Sequence, residues 1–334
     1  MFFELTGVFG ITIMLIIYFK HVASVIGLID LPNVRSVHSK GTPRGAGIAF
    51  VFSSLLLFLL NHFSLAVHYK WTIVAILFVF TIGILDDHKD ASPKTKFFVI
   101  IVSTVLLSFD GILINDVGTF FGVHIILGWL ALPFTIFAVT GFTNAMNLVD
   151  GLDGLAGTLG VIILGAFAAV GYQHHDPFIW WLSLFFIVAL LAFLIFNWHP
   201  ASVFMGDSGS LTLGFVISVV AIKSLAYIPT VSVLFIAALP ILDTLVVMIR
   251  RKRNGKSVFT PDRLHMHHIL WHFSSENTPL TVVVLGTIQL IYSLTGLSLE
   301  KQIDEGILLL LFLLNVLLIY LLLNTVIRKQ QQES

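Results

Sequence analysis

Eleven apolar runs divide the chain, and the polar residues between them are not spread evenly. A hydrocarbon core of about 30 Å asks for roughly 20 apolar residues per helix. On that measure the runs predict membrane helices at 2–19, 46–66, 71–85, 97–114, 124–143, 155–171, 178–196, 210–227, 231–249, 280–298 and 306–327. The expected fold is therefore all-α: one integral-membrane domain over residues 1–334. No basic residue precedes the first run and Lys20 follows it directly. A cleavable signal peptide has the opposite flanks, so an uncleaved first helix is expected.

Charge adds a direction. Of the 18 Lys and Arg residues, all but Lys70, Lys223 and Lys301 fall in loops on one side of this set of spans. Those loops hold Lys20 to Arg44, Lys89 to Lys96, Arg250 to Arg263, and Arg328 with Lys329. The positive-inside rule makes that side cytoplasmic. The N-terminus is then outside and the C-terminus inside. Lys223 falls near the outer end of its run, where its stem can snorkel.

Composition agrees: 57% of the 334 residues are hydrophobic and only 11% charged, against about 25% charged in soluble domains. Zero net charge leaves no nucleic-acid footprint. The lack of cysteine excludes disulfides, thiolate zinc sites and cysteine nucleophiles.

The unusual polar clusters lie on the cytoplasmic side. Asp86-Asp87-His88-Lys89-Asp90 puts three carboxylates in five residues, which repel unless a cation or proton intervenes. Hard oxygens of this kind suit Mg²⁺ or Mn²⁺; a solvated loop with a helix cap would look similar. Asn144, Asn147 and Asp150 recur every three residues on one side of a helix end, followed by Gly151, Asp153, Gly154 and Gly157. Asx caps and a glycine stop account for one or two of these residues, not for the set. Gly206-Asp207-Ser208-Gly209-Ser210 opens the next run. Its serines could cap that helix, whose first amides would face an anion.

The longest cytoplasmic loop carries the quartet Arg250 to Arg253, simplest as an anchor at the headgroups, then Pro261-Asp262-Arg263 and His265, His267 and His268. A guanidinium beside imidazoles suits a diphosphate; zinc is the rival, without an obvious set of four ligands. The first loop, Pro32 to Gly47, could line a substrate entrance. Asp243 falls inside a run, where it either faces the site or ties helices together. Asn197 to Pro200 reads as an interfacial anchor and helix stop.

With these residues in hand, the chain resembles the polyprenyl-phosphate N-acetylhexosamine-1-phosphate transferases. The likeness rests on PNxRSxH and TPRGxG (Pro32 to Gly47), DDxxD (Asp86 to Asp90), NxxNxxDGLDGL (Asn144 to Leu155), GDSGS and PDRxHxHH, in order between the right runs. Ala46 stands where relatives often have a third glycine. The muramyl-pentapeptide transferases look less similar.

The resemblance implies transfer of a sugar 1-phosphate, most often GlcNAc-1-phosphate, from a UDP-N-acetylhexosamine to undecaprenyl phosphate, with release of UMP. Such a reaction opens a cell-envelope polysaccharide (O-antigen, enterobacterial common antigen or teichoic acid type) at the bacterial inner membrane, among membrane lipids. It further implies Mg²⁺ or Mn²⁺ on Asn147 and Asp207, with Asp86 and Asp87 as the acidic pair that activates the lipid phosphate and Lys96 as their charge partner. By the same likeness Arg263, His265, His267 and His268 hold the diphosphate, and Asn144, Asp150 and Asp153 contribute to the nucleotide-sugar pocket. A homodimer is compatible with it.

Two rival readings stay open on the residues alone. A UbiA-like intramembrane prenyltransferase also uses aspartate-rich motifs with Mg²⁺, but leaves the histidines and the Asn147 and Asp207 loops unexplained. A secondary transporter would place its charges near the bilayer midplane.

Overall fold

The computed structural model describes residues 1–30, 41–255, 257, 265–299 and 303–333, with side chains to 327. Its elements are α1 (Phe2–Val22), β1 (Ile29–Asp30), β2 (Thr42–Pro43), α2 (Gly47–Asn61), α3 (Phe63–His68), α4 (Lys70–Lys89), α5 (Pro93–Phe109), β3 (Asp116–Phe120), β4 (Val123–Ile126), α6 (Ala131–Val149), α7 (Leu155–Gln173), α8 (Pro177–Asn197), α9 (Gly206–Ser224), α10 (Thr230–Ile236), α11 (Ala238–Arg253), α12 (Met266–Phe273), α13 (Thr278–Ser298) and α14 (Glu305–Glu333). Every apolar run contains helix. Among the described residues, eight helices are long and apolar enough to cross a membrane, or nine if the bent pair α10–α11 is one span. The α2 and α5 helices, of 15 and 17 residues, are shorter. The protein is thus a helical, polytopic membrane protein.

The differences from the expected boundaries have local causes. Several helices run a turn beyond their apolar stretch, because a polar residue that meets a protein partner does not end a helix. So α6 continues past Asn147, whose amide meets Asp207 and Ser210, and α9 begins at Gly206 rather than 210. In the other direction, the run expected from 124 opens in a hairpin. Antiparallel β3 and β4 pair Phe120 with Val123 across a tight turn, and the helix starts only at Ala131. The run over 231–249 is two helices meeting at 88°. At that break Gln289 of α13, fully buried, accepts from Leu239 N at 2.9 Å and donates to the Ile236 carbonyl at 2.7 Å, where Ser293 Oγ also donates at 2.8 Å. A backbone break at membrane depth persists only where protein groups satisfy it.

At the centre stands α9, with 83% of its apolar window buried against 22% for α1 and 33% for α14. It packs against α2 and α4 through glycines. A side-chain carbon at Gly83 would lie 2.5 Å from Ser208 Cα, and one at Gly209 would lie 2.9 Å from Gly47 Cα. Small residues let backbones meet this closely, as in other membrane helix pairs. The peripheral α14 instead turns Leu310, Leu314, Leu317 and Leu321 outward, each about half exposed.

Candidate active site

The acidic motifs converge where α4 and α6 end and α5 and α9 begin. Lys96, in the first turn of α5, donates to Asp86 Oδ2 at 3.2 Å and to Asp207 Oδ2 at 2.8 Å. The other Asp207 oxygen accepts from Asn147 Nδ2 at 3.0 Å, and the same amide donates to Ser210 Oγ at 2.8 Å. Residues from four helices, far apart in the chain, thus form one continuous polar cluster.

Asp87 behaves differently from Asp86. It is only 4% exposed, and its carboxylate accepts from the backbone amides of Asp207 at 2.7 Å and Ser208 at 3.0 Å. The amides at the start of α9 do face an anion, and that anion belongs to the protein. Neither serine caps the helix in the way the sequence allowed; Ser210 Oγ instead donates to the Gly206 carbonyl at 3.0 Å. Arg44 holds the same C-terminal turn of α4, donating to the Asp87 carbonyl at 3.1 and 2.8 Å and to Asp90 Oδ1 at 3.3 Å. Asp90 is in the left-handed conformation with its side chain largely in solvent, away from the cluster.

The loop after α6 carries the remaining acids. Burial first, then the neighbouring Asp207, Asp87 and Asp153 carboxylates, push the Asp150 carboxyl up to about 7. Asp153 is engaged with the α8–α9 connection: its Oδ2 accepts from His199 Nδ1 at 2.8 Å and from Ala201 N at 3.0 Å. Asn197 ties the same two loops, accepting from Gly154 N at 3.0 Å and donating to the Val203 carbonyl at 2.9 Å. The Asn197 to Pro200 stretch is therefore a brace for the acidic loop, more than a helix stop. Asn144 lies one turn before Asn147, half-buried, with no side-chain hydrogen bond found among the described residues.

The histidines divide. His265 Nδ1 lies 2.7 Å from Asp243 Oδ2, and Met266 N donates to Asp243 Oδ1 at 2.6 Å. His267 is 2% exposed and its Nε2 has no hydrogen-bond partner among the described residues; burial takes its pKa down to about 3, so it is neutral. A side-chain carbon on Gly151 would collide with that nitrogen. The glycine therefore makes room for the histidine ring. His268 packs its ring 4.3 Å from that of His267. Arg263 lies outside the described residues, as do Pro32 to Lys40. The basic quartet is not a uniform anchor: Arg250 is buried on the α11 face that carries Asp243, and Arg253 donates to Tyr320 OH at 3.0 Å.

The donor set fits a divalent cation. Asp86 and Asp207 share one ammonium, and Asp150 has no basic partner among the described residues. No three His, Asp or Glu residues among those described gather into a ligand shell of their own.

A helical membrane bundle with an acidic, lysine-bridged site at one end defines the class. The comparisons with known proteins then place the chain within it. Residues 69–225, which contain the Asp86, Lys96, Asn147 and Asp207 motifs, match glycosyl transferase family 4. The chain is 34% identical over 311 residues to the probable undecaprenyl-phosphate N-acetylglucosaminyl 1-phosphate transferase of Bacillus subtilis (strain 168), covering 90% of this chain and 85% of that protein. It is 32% identical over 327 residues to the undecaprenyl-phosphate alpha-N-acetylglucosaminyl 1-phosphate transferase of Yersinia pestis (94% and 89% covered), and 31% over 333 residues to that of Escherichia coli (strain K12) (93% and 88%). The chain belongs to glycosyl transferase family 4, a family of sugar-phosphate transferases. That membership decides against the prenyltransferase and transporter readings.

Proposed function

We propose that the protein transfers N-acetylglucosamine 1-phosphate from UDP-GlcNAc to undecaprenyl phosphate and releases UMP, making the lipid-linked sugar on which a cell-envelope polysaccharide is built. The membrane is the bacterial inner membrane, crossed eleven times with the N-terminus outside and the site facing the cytoplasm. The basic loops at the site end support that orientation. The observation that carries the reading is the bridge of Lys96 between Asp86 and Asp207, with Asn147 on the second Asp207 oxygen. The relatives' names supply the substrates.

In the reaction an oxygen of the lipid phosphate attacks the phosphorus that bears the sugar. The bond from that phosphorus to the bridging oxygen breaks, and its electrons leave with UMP. Such transfers depend mostly on positioning and charge neutralisation. Asp207 and Asn147 would hold Mg²⁺ or Mn²⁺, which would offset the diphosphate charge when bound. Lys96 adds a second positive charge beside it. Asp86 is the carboxylate placed to take a proton from the lipid phosphate. Asp87, with both oxygens on the α9 amides, works by fixing where Asp207 stands. Arg263, His265, His267 and His268 border the diphosphate, while Asn144, Asp150 and Asp153 border the nucleotide sugar.

The test is to incubate the purified protein with radiolabelled UDP-GlcNAc, undecaprenyl phosphate and Mg²⁺. A lipid-linked diphosphosugar and stoichiometric UMP are expected, both lost on chelation. Labelling by UDP-GalNAc or another UDP-sugar in its place would correct the donor; release of inorganic diphosphate would overturn the reaction class.

A further inference from the structure

One buried carboxylate takes no part in the chemistry above. Asp243 lies inside the bundle on α11, 1% exposed. A charged group at such depth is expensive unless paired. Both of its oxygens are used on one segment: Oδ2 faces His265 Nδ1 at 2.7 Å, and Oδ1 accepts from Met266 N at 2.6 Å. Those residues are the cap and the first residue of α12. The carboxylate thus anchors the start of α12 to the membrane bundle. It also keeps a proton on His265 Nδ1, because a carboxylate partner selects that tautomer.

The arrangement continues toward the acidic loop. The His265 ring lies nearly parallel to that of His267, 5.7 Å away at 20°. His267 in turn presses against Gly151, the residue after Asp150. Asp243, His265, His267 and Gly151 therefore form one packed line between α11 and the loop that follows α6.

We propose that Asp243 is a positioning residue for the sugar-phosphate transfer and acts through His265. It sets the tautomer and the place of that imidazole, and with it the seat of α12 against the acidic loop. This rests on the function proposed above, in which the histidine segment borders the donor diphosphate. Carboxylates that orient a metal-bound histidine matter about 10–100-fold when removed, and a loss of the same order is expected here.

The experiment is a double-mutant cycle with Asp243→Asn, His265→Gln and the pair, read as kcat/KM for the UDP-sugar together with melting temperature. Asp243→Asn is expected to lower kcat/KM about 10–100-fold, and His265→Gln at least as much. The double variant should match His265→Gln within about threefold, since a residue that acts through another adds nothing once the other is gone. A merely structural Asp243 would give multiplied losses and a falling melting temperature, and either multiplied losses or an Asp243→Asn variant with full activity overturns the proposal. If Asp243→Asn does not purify, Asp243→Glu takes its place in the same cycle. A wild-type protein that transfers no sugar phosphate at all sinks the function itself; an active wild type with multiplied losses sinks only the role of Asp243.

Discussion

A lysine sits against aspartate near each end of α9, roughly 24 Å apart along the helix. Near the C-terminal end Lys223 lies 3.4 Å from Asp176, with its ammonium 5.7 Å from the Tyr69 ring. Asp176 also accepts from Tyr227 OH at 3.0 Å and from the amides of Phe178 and Ile179 at 3.0 and 3.1 Å. Lys223 is paired inside the protein, where the sequence suggested that it snorkels. One positive and one negative charge meet, and the carboxylate's hydrogen bonds are complete. At the other end Lys96 serves two carboxylates, with Asp150 held near neutrality beside them. The first cluster is closed and clasps helices together. The second carries surplus negative charge, which on the proposed function a divalent cation would offset.

The sharpest way to break the contrast is to neutralise each end in turn. Asp207→Asn or Asp86→Asn should lower transfer by about a thousandfold or more, while the protein inserts and melts as before. Near-full activity in either variant removes that residue from its role. Asp176→Asn should do the reverse: turnover within about twofold, with a melting temperature lower by about 5 °C because a buried pair has lost one partner. A large loss of turnover without destabilisation would mean that the clasp takes part in the chemistry.

The comparison also has a pH arm. Folded, Asp150 keeps its proton up to about 7, whereas its ordinary value is 3.8. Between those values the folded state binds more protons than the unfolded chain, so stability falls as pH rises through the interval. A bound divalent cation favours the ionised form. Added Mg²⁺ should therefore raise the melting temperature more near pH 8 than near pH 5. Equal gains at the two pH values would separate Asp150 from the cation. The smallest effect is expected in the basic quartet: Lys252→Ala, on an exposed side chain, should change turnover less than about twofold, and Arg250→Ala, buried on the Asp243 face, should change it more.

Much of the site was legible because its chemistry needs rare residues. Asp86, Asp207, Asn147 and Lys96 stand out in a chain that is only 11% charged, and the structure joins them directly. What stayed hidden depends on partners distant in sequence. Nothing near Asp87 says that its carboxylate meets amides 120 and 121 residues later. His265 alone does not name Asp243, although an aspartate inside an apolar run was the available signal. Arg44 looked like one basic residue among many, since its use is to bind a main-chain carbonyl. In the fold, apolar length found the helices but not the 88° break in α10–α11, because the Gln289 that satisfies it lies on another helix. The end of the hairpin, residues 124–126, was read as the start of a span for a related reason: β-branched residues serve a strand as readily as a membrane helix.

The contacts of Gly47, Gly83 and Gly209 carry a consequence for how this protein tolerates its surroundings. Where main chains touch, the gap between Asp86 and Asp207 is set by backbone-to-backbone contact rather than by flexible side chains. Bilayer thickness, tail length and temperature act on the leucine-covered rim, while the inner rods hold their spacing. The outer coat can be rewritten for a colder or thicker membrane without detuning the chemistry, but one added methyl group on the inner stripe would spread the reacting groups apart.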